Sequence, residues 1–184
     1  MIDRAAHPNT TILLDAWRRM ETHWPDGPQP AVAAGPDQHP AIIANLFVLR
    51  GWPDGRWTFR NAGDGLTARF GRSVLEEDFR DLWQGADQTL VSGFLSAVAG
   101  TGRPGLIQAY AQTLAGARLD VELALAPLFG SHPGQARLLG HYQTLGGEAM
   151  IAGRPVHRHL ITAILPPTEP QSSTPHLRLV SQND

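Results

Sequence analysis

The chain has 184 residues, 42% of them hydrophobic, with a net charge of −2, no cysteine, and fifteen basic residues that are all arginine. One domain of that size buries about 70% of the surface its unfolded form exposes, so no covalent or metal staple is needed. Without cysteine there are no disulfides, thiolate metal ligands, cysteine nucleophiles or flavin–thiol adducts; without lysine there is no Schiff base and no P-loop; and the charge gives no general attraction to nucleic acid or anionic membranes.

The opening MIDRAAHPNTT lacks an apolar run, and no later stretch is long enough to span a bilayer, which points to a cytoplasmic protein. Thr10 to Trp24 has helical period: Leu13, Trp17, Met20 and Trp24 form one apolar stripe, Asn9 or Thr10 is placed to cap it, and Asp15, Arg18, Arg19 and Glu21 lie opposite. Such a stripe either mediates self-association or folds back on the chain's own sheet. Pro25 to Pro40 is too rich in proline and glycine for a regular element and reads as a linker.

Ile42 to Arg50 reads as the first strand, Trp52-Pro-Asp-Gly55 as a tight turn, and Arg56 to Ala62 as the second strand. Gly63 allows a sharp turn, Asp64 is placed to cap a helix, Leu66 to Phe70 forms its apolar turn, and Gly71 ends it. Ser73-Val-Leu-Glu76 has capping-box spacing and predicts a helix to Trp83. Asp87 to Ala99 is a further helix, with Leu90, Phe94, Leu95 and Val98 on one side.

Leu106 to Leu114, Arg118 to Leu128 and Arg137 to Leu145 read as strands joined by two hairpins, and Val156 to Leu165 as another strand. In the middle one, Leu119, Val121, Leu123 and Leu125 alternate with Arg118, Asp120 and Glu122, predicting one buried and one wet face. From Pro166 onward there is no periodicity, as expected of a tail. The expected organisation is an N-terminal helix and linker (1–40), an α+β domain (41–165) with short helices on one face of a five-stranded antiparallel sheet, and a tail (166–184).

Four blocks carry a resemblance to a known family. They are the Trp17/Trp24 helix leading to His39-Pro40-Ala41-Ile42; Trp57-Thr-Phe-Arg-Asn-Ala-Gly63 with Phe70-Gly71-Arg72; Phe79-x-x-Leu82-Trp83; and Leu123-x-x-x-Pro127-Leu128 followed by Arg137-Leu-Leu-Gly140 and Arg154-Pro-Val. Together, over residues 10 to 165, they resemble the PAS domain family, in particular the single-PAS proteins typical of alphaproteobacteria; Ser73 departs from the short ending expected after Arg72. The resemblance implies a sensory or scaffolding role that is not enzymatic. Without room for an output domain, the signal is expected to leave by contact with a signalling protein partner, and the N-terminal helix to support a homodimer. It also implies a pocket between the inner sheet face and the helices, near Trp57, Phe59, Phe70, Phe94 and Leu123, although residues of these types more often serve plain core packing.

Arg60 stands out in that unit, since a buried charge must be paired; either an internal carboxylate (Asp78, Asp81, Asp120 or Glu122) or a ligand carboxylate would serve. His157 and His159, two apart on a strand, and His141 on another are the candidate imidazoles for a metal, but no fourth ligand accompanies them and a structural role is expected. The helix from Asp87 to Ala99 has no histidine to ligate haem, leaving only His132 or His141; with no cysteine for a covalent flavin, no cofactor is expected, and haem or noncovalent flavin is the alternative. Ser92-Gly93 is no nucleophile elbow and Gly63-x-Gly65 no dinucleotide loop, so neither catalysis nor nucleic-acid or membrane binding is expected.

Overall fold

A computed structural model describes residues 6–23, 39–128 and 135–167; Trp24, nearly all of the linker, His132 and the tail after Pro167 lie outside them. The elements are helix α1 (Pro8–His23), the short helix α2 (Pro40–Ile43), strands β1 (Leu46–Gly51) and β2 (Trp57–Ala62), helix α3 (Asp64–Phe70), a 3-10 turn (Phe79–Leu82), helix α4 (Ala86–Thr101), strands β3 (Gly105–Thr113), β4 (Arg118–Pro127) and β5 (Arg137–Thr144), the short helix α5 (Glu148–Ile151) and strand β6 (Val156–Leu165). The strands form one antiparallel sheet in the order β2-β1-β5-β4-β3-β6. The α+β class is as expected. The sheet has six strands rather than five, because β6 returns beside β3 and closes that edge.

The two faces follow from the registers. Phe47, Leu49, Phe59, Ile107, Leu123 and Tyr142 point to one side, the inner face, where α3, α4 and the 3-10 turn complete a single apolar cluster. Ala124, Glu122 and His141 point to the outer face, which α1 crosses over β4 and β5. Gly140 lies opposite Phe47 on the inner side, and a Cβ there would stand 2.1 Å from the Phe47 ring, so the ring occupies the space a side chain would need.

Several elements differ from the expectations, each for a nonlocal reason. The first strand starts at Leu46, not Ile42, because Pro40 opens a helical turn whose Asn45 amide donates back to Ala41 O. Gly63 keeps an ordinary φ of −70°; what requires glycine there is proximity, since a Cβ would sit 2.4 Å from Ala44 O. Gly71 does end α3 in the left-handed region.

The expected helix over 73–83 is absent. Glu76 is left-handed (φ 63°), and the segment instead pairs with β2: Glu76 N–H donates to Phe59 O, Phe59 N–H to Glu77 O, and Thr58 bridges Asp78. The free edge of β2 thereby gains backbone partners, which outweighs the local capping-box preference that would leave that edge bare. In α4 the buried side is Val91, Phe94, Leu95 and Val98, with Leu90 exposed. Helix α1 is capped by His7, whose Nδ1 accepts from Asn9 N–H, while the Asn9 amide reaches Gln143.

Candidate functional site

The inner face carries two aromatic groups. Phe47, Phe59 and Phe79 pack with ring centroids 5.4–5.7 Å apart, filling the side nearest β1 and β2. Beyond them Trp83 lies 5.1 Å from the His159 ring, with Phe70 and Tyr142 at 6.0 and 5.6 Å from it. The 3-10 turn aims Phe79, Leu82 and Trp83 inward; Asp78 caps it and clasps the Arg80 guanidinium at 2.6 Å.

Within this apolar surround sits a polar pair, Tyr142 Oη and His159 Nε2, 2.8 Å apart. The other ring nitrogen of His159 lies 3.4 Å from Leu82 O, which can only accept, so Nδ1 carries the proton and Nε2 accepts from the Tyr142 hydroxyl. The chain from Tyr142 through His159 to Leu82 ties β5, β6 and the 3-10 turn together. Burial lowers the His159 pKa to about 4, the bond to Leu82 O opposing the shift, and burial raises that of Tyr142, with the Arg69 charge opposing. Both groups are neutral near pH 7, fully buried, and committed to each other, which makes the pair a tie within the core rather than an acid–base site facing a substrate.

On the outer face α1 is docked by Leu13 and Trp17, both buried, and by Trp17 Nε1–H donating to Pro127 O at 2.7 Å. At its start His7 N–H donates to Glu122 Oε1, and Asn9 to Gln143. Under it lies His141, fully buried, with no hydrogen-bond partner among the described residues for either ring nitrogen. Burial, with a smaller contribution from the nearby His7 charge, lowers its pKa to about 4. A groove of about 560 Å³ opens beside α1, lined by Leu14, Trp17, Arg103, Leu106 and Leu165 among others.

The sequence-predicted residues divide by face. Trp57, Phe59, Phe70, Phe94 and Leu123 are all buried in the inner cluster, in contact with the chain's own side chains. Arg60 is not among them. It follows the inward Phe59 on β2, so alternation points it away from the core; it is the extra residue at the register shift between β1 and β2 and pairs with Glu76, both side chains 60% exposed, in place of Asp78, Asp81, Asp120 or Glu122. Leu13 and Trp17 of the expected interface are spent on the chain's own sheet, Met20 is exposed, and Trp24 lies outside the described residues. Glu122, expected on a wet face, is buried because α1 covers it. The three histidines do not converge: His159 is inner, His141 outer, and a second register shift turns His157 to solvent. No group of three potential metal ligands occurs among the described residues, and no helix among them is long and apolar enough to cross a membrane. Sequence reasoning missed Tyr142; its place opposite Leu123 on a strand pointing to the same face was the available signal.

A family model described as a PAS domain matches residues 5–143, well over half of the chain. Among solved structures, the PAS domain of BvgS from Bordetella pertussis is similar, at 18% identity over 63% of this chain and 85% of that chain, with a TM-score of 0.45. No curated protein matches.

Proposed function

The chain belongs to the PAS domain family, and from that premise we propose that it is a non-enzymatic cytoplasmic module that passes a signal by binding a signalling protein. PAS domains are sensory modules, and the observation that favours protein contact over a resident cofactor is the state of the inner face. Phe47, Phe59, Phe79, Trp83, Tyr142 and His159 are each at most 2% exposed and meet one another there. A cofactor of haem or flavin size would have to displace that packing, which resists volume changes. The likeness to the single-PAS proteins typical of alphaproteobacteria belongs to the same reading.

Helix α1 is the element we place at the partner contact. Its docking uses the buried Thr10, Leu13 and Trp17 and hydrogen bonds from His7, Asn9 and Trp17, on the face of the sheet opposite the apolar cluster. Self-association requires α1 to leave the sheet, since Leu13 and Trp17 are otherwise covered. Two measurements test this. Protein purified from haem- and flavin-replete cells is expected to be colourless; a stoichiometric Soret or flavin band would establish the cofactor-bearing sensor instead. Light scattering on a chain beginning at Ala31 should show an unchanged oligomeric state with a lower melting temperature, whereas conversion of a dimer to a monomer would make α1 a contact between two copies of this chain.

A further inference from the structure

Most described arginines have an evident partner. Arg18, Arg56, Arg60, Arg72 and Arg80 pair with carboxylates, Arg50 and Arg118 lie over Trp52 and Tyr110, and Arg158 donates to Gln112 and Gln84. Arg69 and Arg154 have no side-chain hydrogen bond or ion pair among the described residues, and they line the same pocket, of about 320 Å³, at the rim of the inner face. Arg69 reaches it from the last turn of α3, and Arg154 from the loop after α5, where Arg154 N–H closes a turn onto Ile151 O. Asn45, Gly65, Ala68 and Ile151 form other parts of the wall.

Two like charges lining one pocket repel each other, and no carboxylate is among the residues that line it. Arg69 Nε is shut off from solvent and makes no hydrogen bond, a condition that costs free energy in a buried donor. Glu148 is close enough for Arg69 to help hold its carboxyl below the usual range, but the larger cause is its bond with the Thr144 hydroxyl, which occupies Oε1. An oxyanion in the pocket would be met by the terminal nitrogens of both guanidiniums. Ala68 and Ile151 give the pocket an apolar side suited to a short carbon body.

We propose that Arg69 and Arg154 form a binding site for a small organic anion, one carrying a carboxylate or phosphate on a compact apolar body. It goes beyond the reading of the domain as a protein-contact module, which stands whether or not this pocket binds anything.

The test is a thermal-shift titration of the full chain with butyrate, phenyl phosphate and inorganic phosphate, each against sodium chloride at equal ionic strength. At least one probe is expected to raise the melting temperature saturably where sodium chloride does not. Arg154→Gln, at an exposed position that the fold does not need, should weaken the apparent affinity about tenfold or more, and Arg69→Gln at least as much. Shifts no larger than those of sodium chloride for all three probes, or a saturable shift that survives unchanged in Arg154→Gln, would overturn the proposal. Should Arg69→Gln fail to fold, the Arg154→Gln comparison alone decides.

Discussion

Two histidines on opposite faces of one sheet show how differently the two sides are built. His159, on the inner face, is fully buried with both ring nitrogens engaged, by Tyr142 and by Leu82 O. His141, on the outer face under α1, is equally buried and has neither nitrogen engaged. Burial lowers the pKa of both to about 4. The inner histidine is thus held in a hydrogen-bonded chain among aromatic rings, although Trp83 Nε1 beside it is buried without a partner among the described residues, while the outer histidine has neither nitrogen satisfied beneath α1. A polar group without a partner makes the cover over it cheaper to remove, because uncovering returns that group to water. The inner face carries the apolar cluster, and the outer face over β4 and β5 is covered by one helix.

The contrast is open to attack on both sides. The largest effect is expected from Phe59→Ala, which removes a ring packed against Phe47 and Phe79: a loss of about 3–5 kcal/mol in denaturant unfolding, typical of a buried aromatic truncated without collapse of the site. A loss near 1 kcal/mol would mean the inner face has room to accommodate change. Tyr142→Phe should cost about 1–3 kcal/mol, since it leaves His159 Nε2 buried without a donor. If that variant unfolds at the same denaturant concentration as the parent, the tie contributes nothing to stability.

Acid distinguishes the faces further. Both histidines have folded pKa values depressed below the ordinary 6.5, so their contribution to stability is complete above pH 6.5 and is lost as pH falls from there towards 4. Each should add a slope of about 1.4 kcal/mol per pH unit in that window. His141→Leu should remove one such slope without loss at pH 7.5, because it breaks no hydrogen bond, and hydrogen exchange should show the outer-face amides opening first as the parent is acidified. Equal acid sensitivity in parent and His141→Leu would show that the site already admits water. The smallest effect is reserved for Arg60→Met. An exposed pair with Glu76 is worth at most about 0.5 kcal/mol, and a larger loss in urea unfolding would place Arg60 back in the core.

The elements that were legible in the chain are those whose pattern is local. Strand β6 has the expected bounds, β3, β4 and β5 nearly so, and α3 ends at a left-handed Gly71 as expected, although Gly63 and not Asp64 is its N-cap and no side chain caps it. Alternation along β4 placed Leu119, Val121, Leu123 and Leu125 correctly on one buried face. The family likeness likewise rested on short blocks, most of which fall in the matched residues 5–143; β6, with His159, lies beyond that match.

What the chain alone left open was decided by contacts between distant segments. Residues 73–83 carry a helix-start pattern, yet they give their backbone to the edge of β2, because unpaired strand amides elsewhere in the molecule compete for the same hydrogen bonds. Arg60 lies on the side of β2 away from Phe59 and finds its partner in Glu76, from the segment that pairs with that edge, while His157 was turned out by a skipped residue in the pairing of β6 with β3, since a single extra residue reverses a period of two. Glu122 and His141 are buried only because a helix more than a hundred residues earlier lies over them. A period of 2 or 3.6 says which residues share a face; what covers that face depends on how the whole chain returns upon itself, and only the tertiary structure records it.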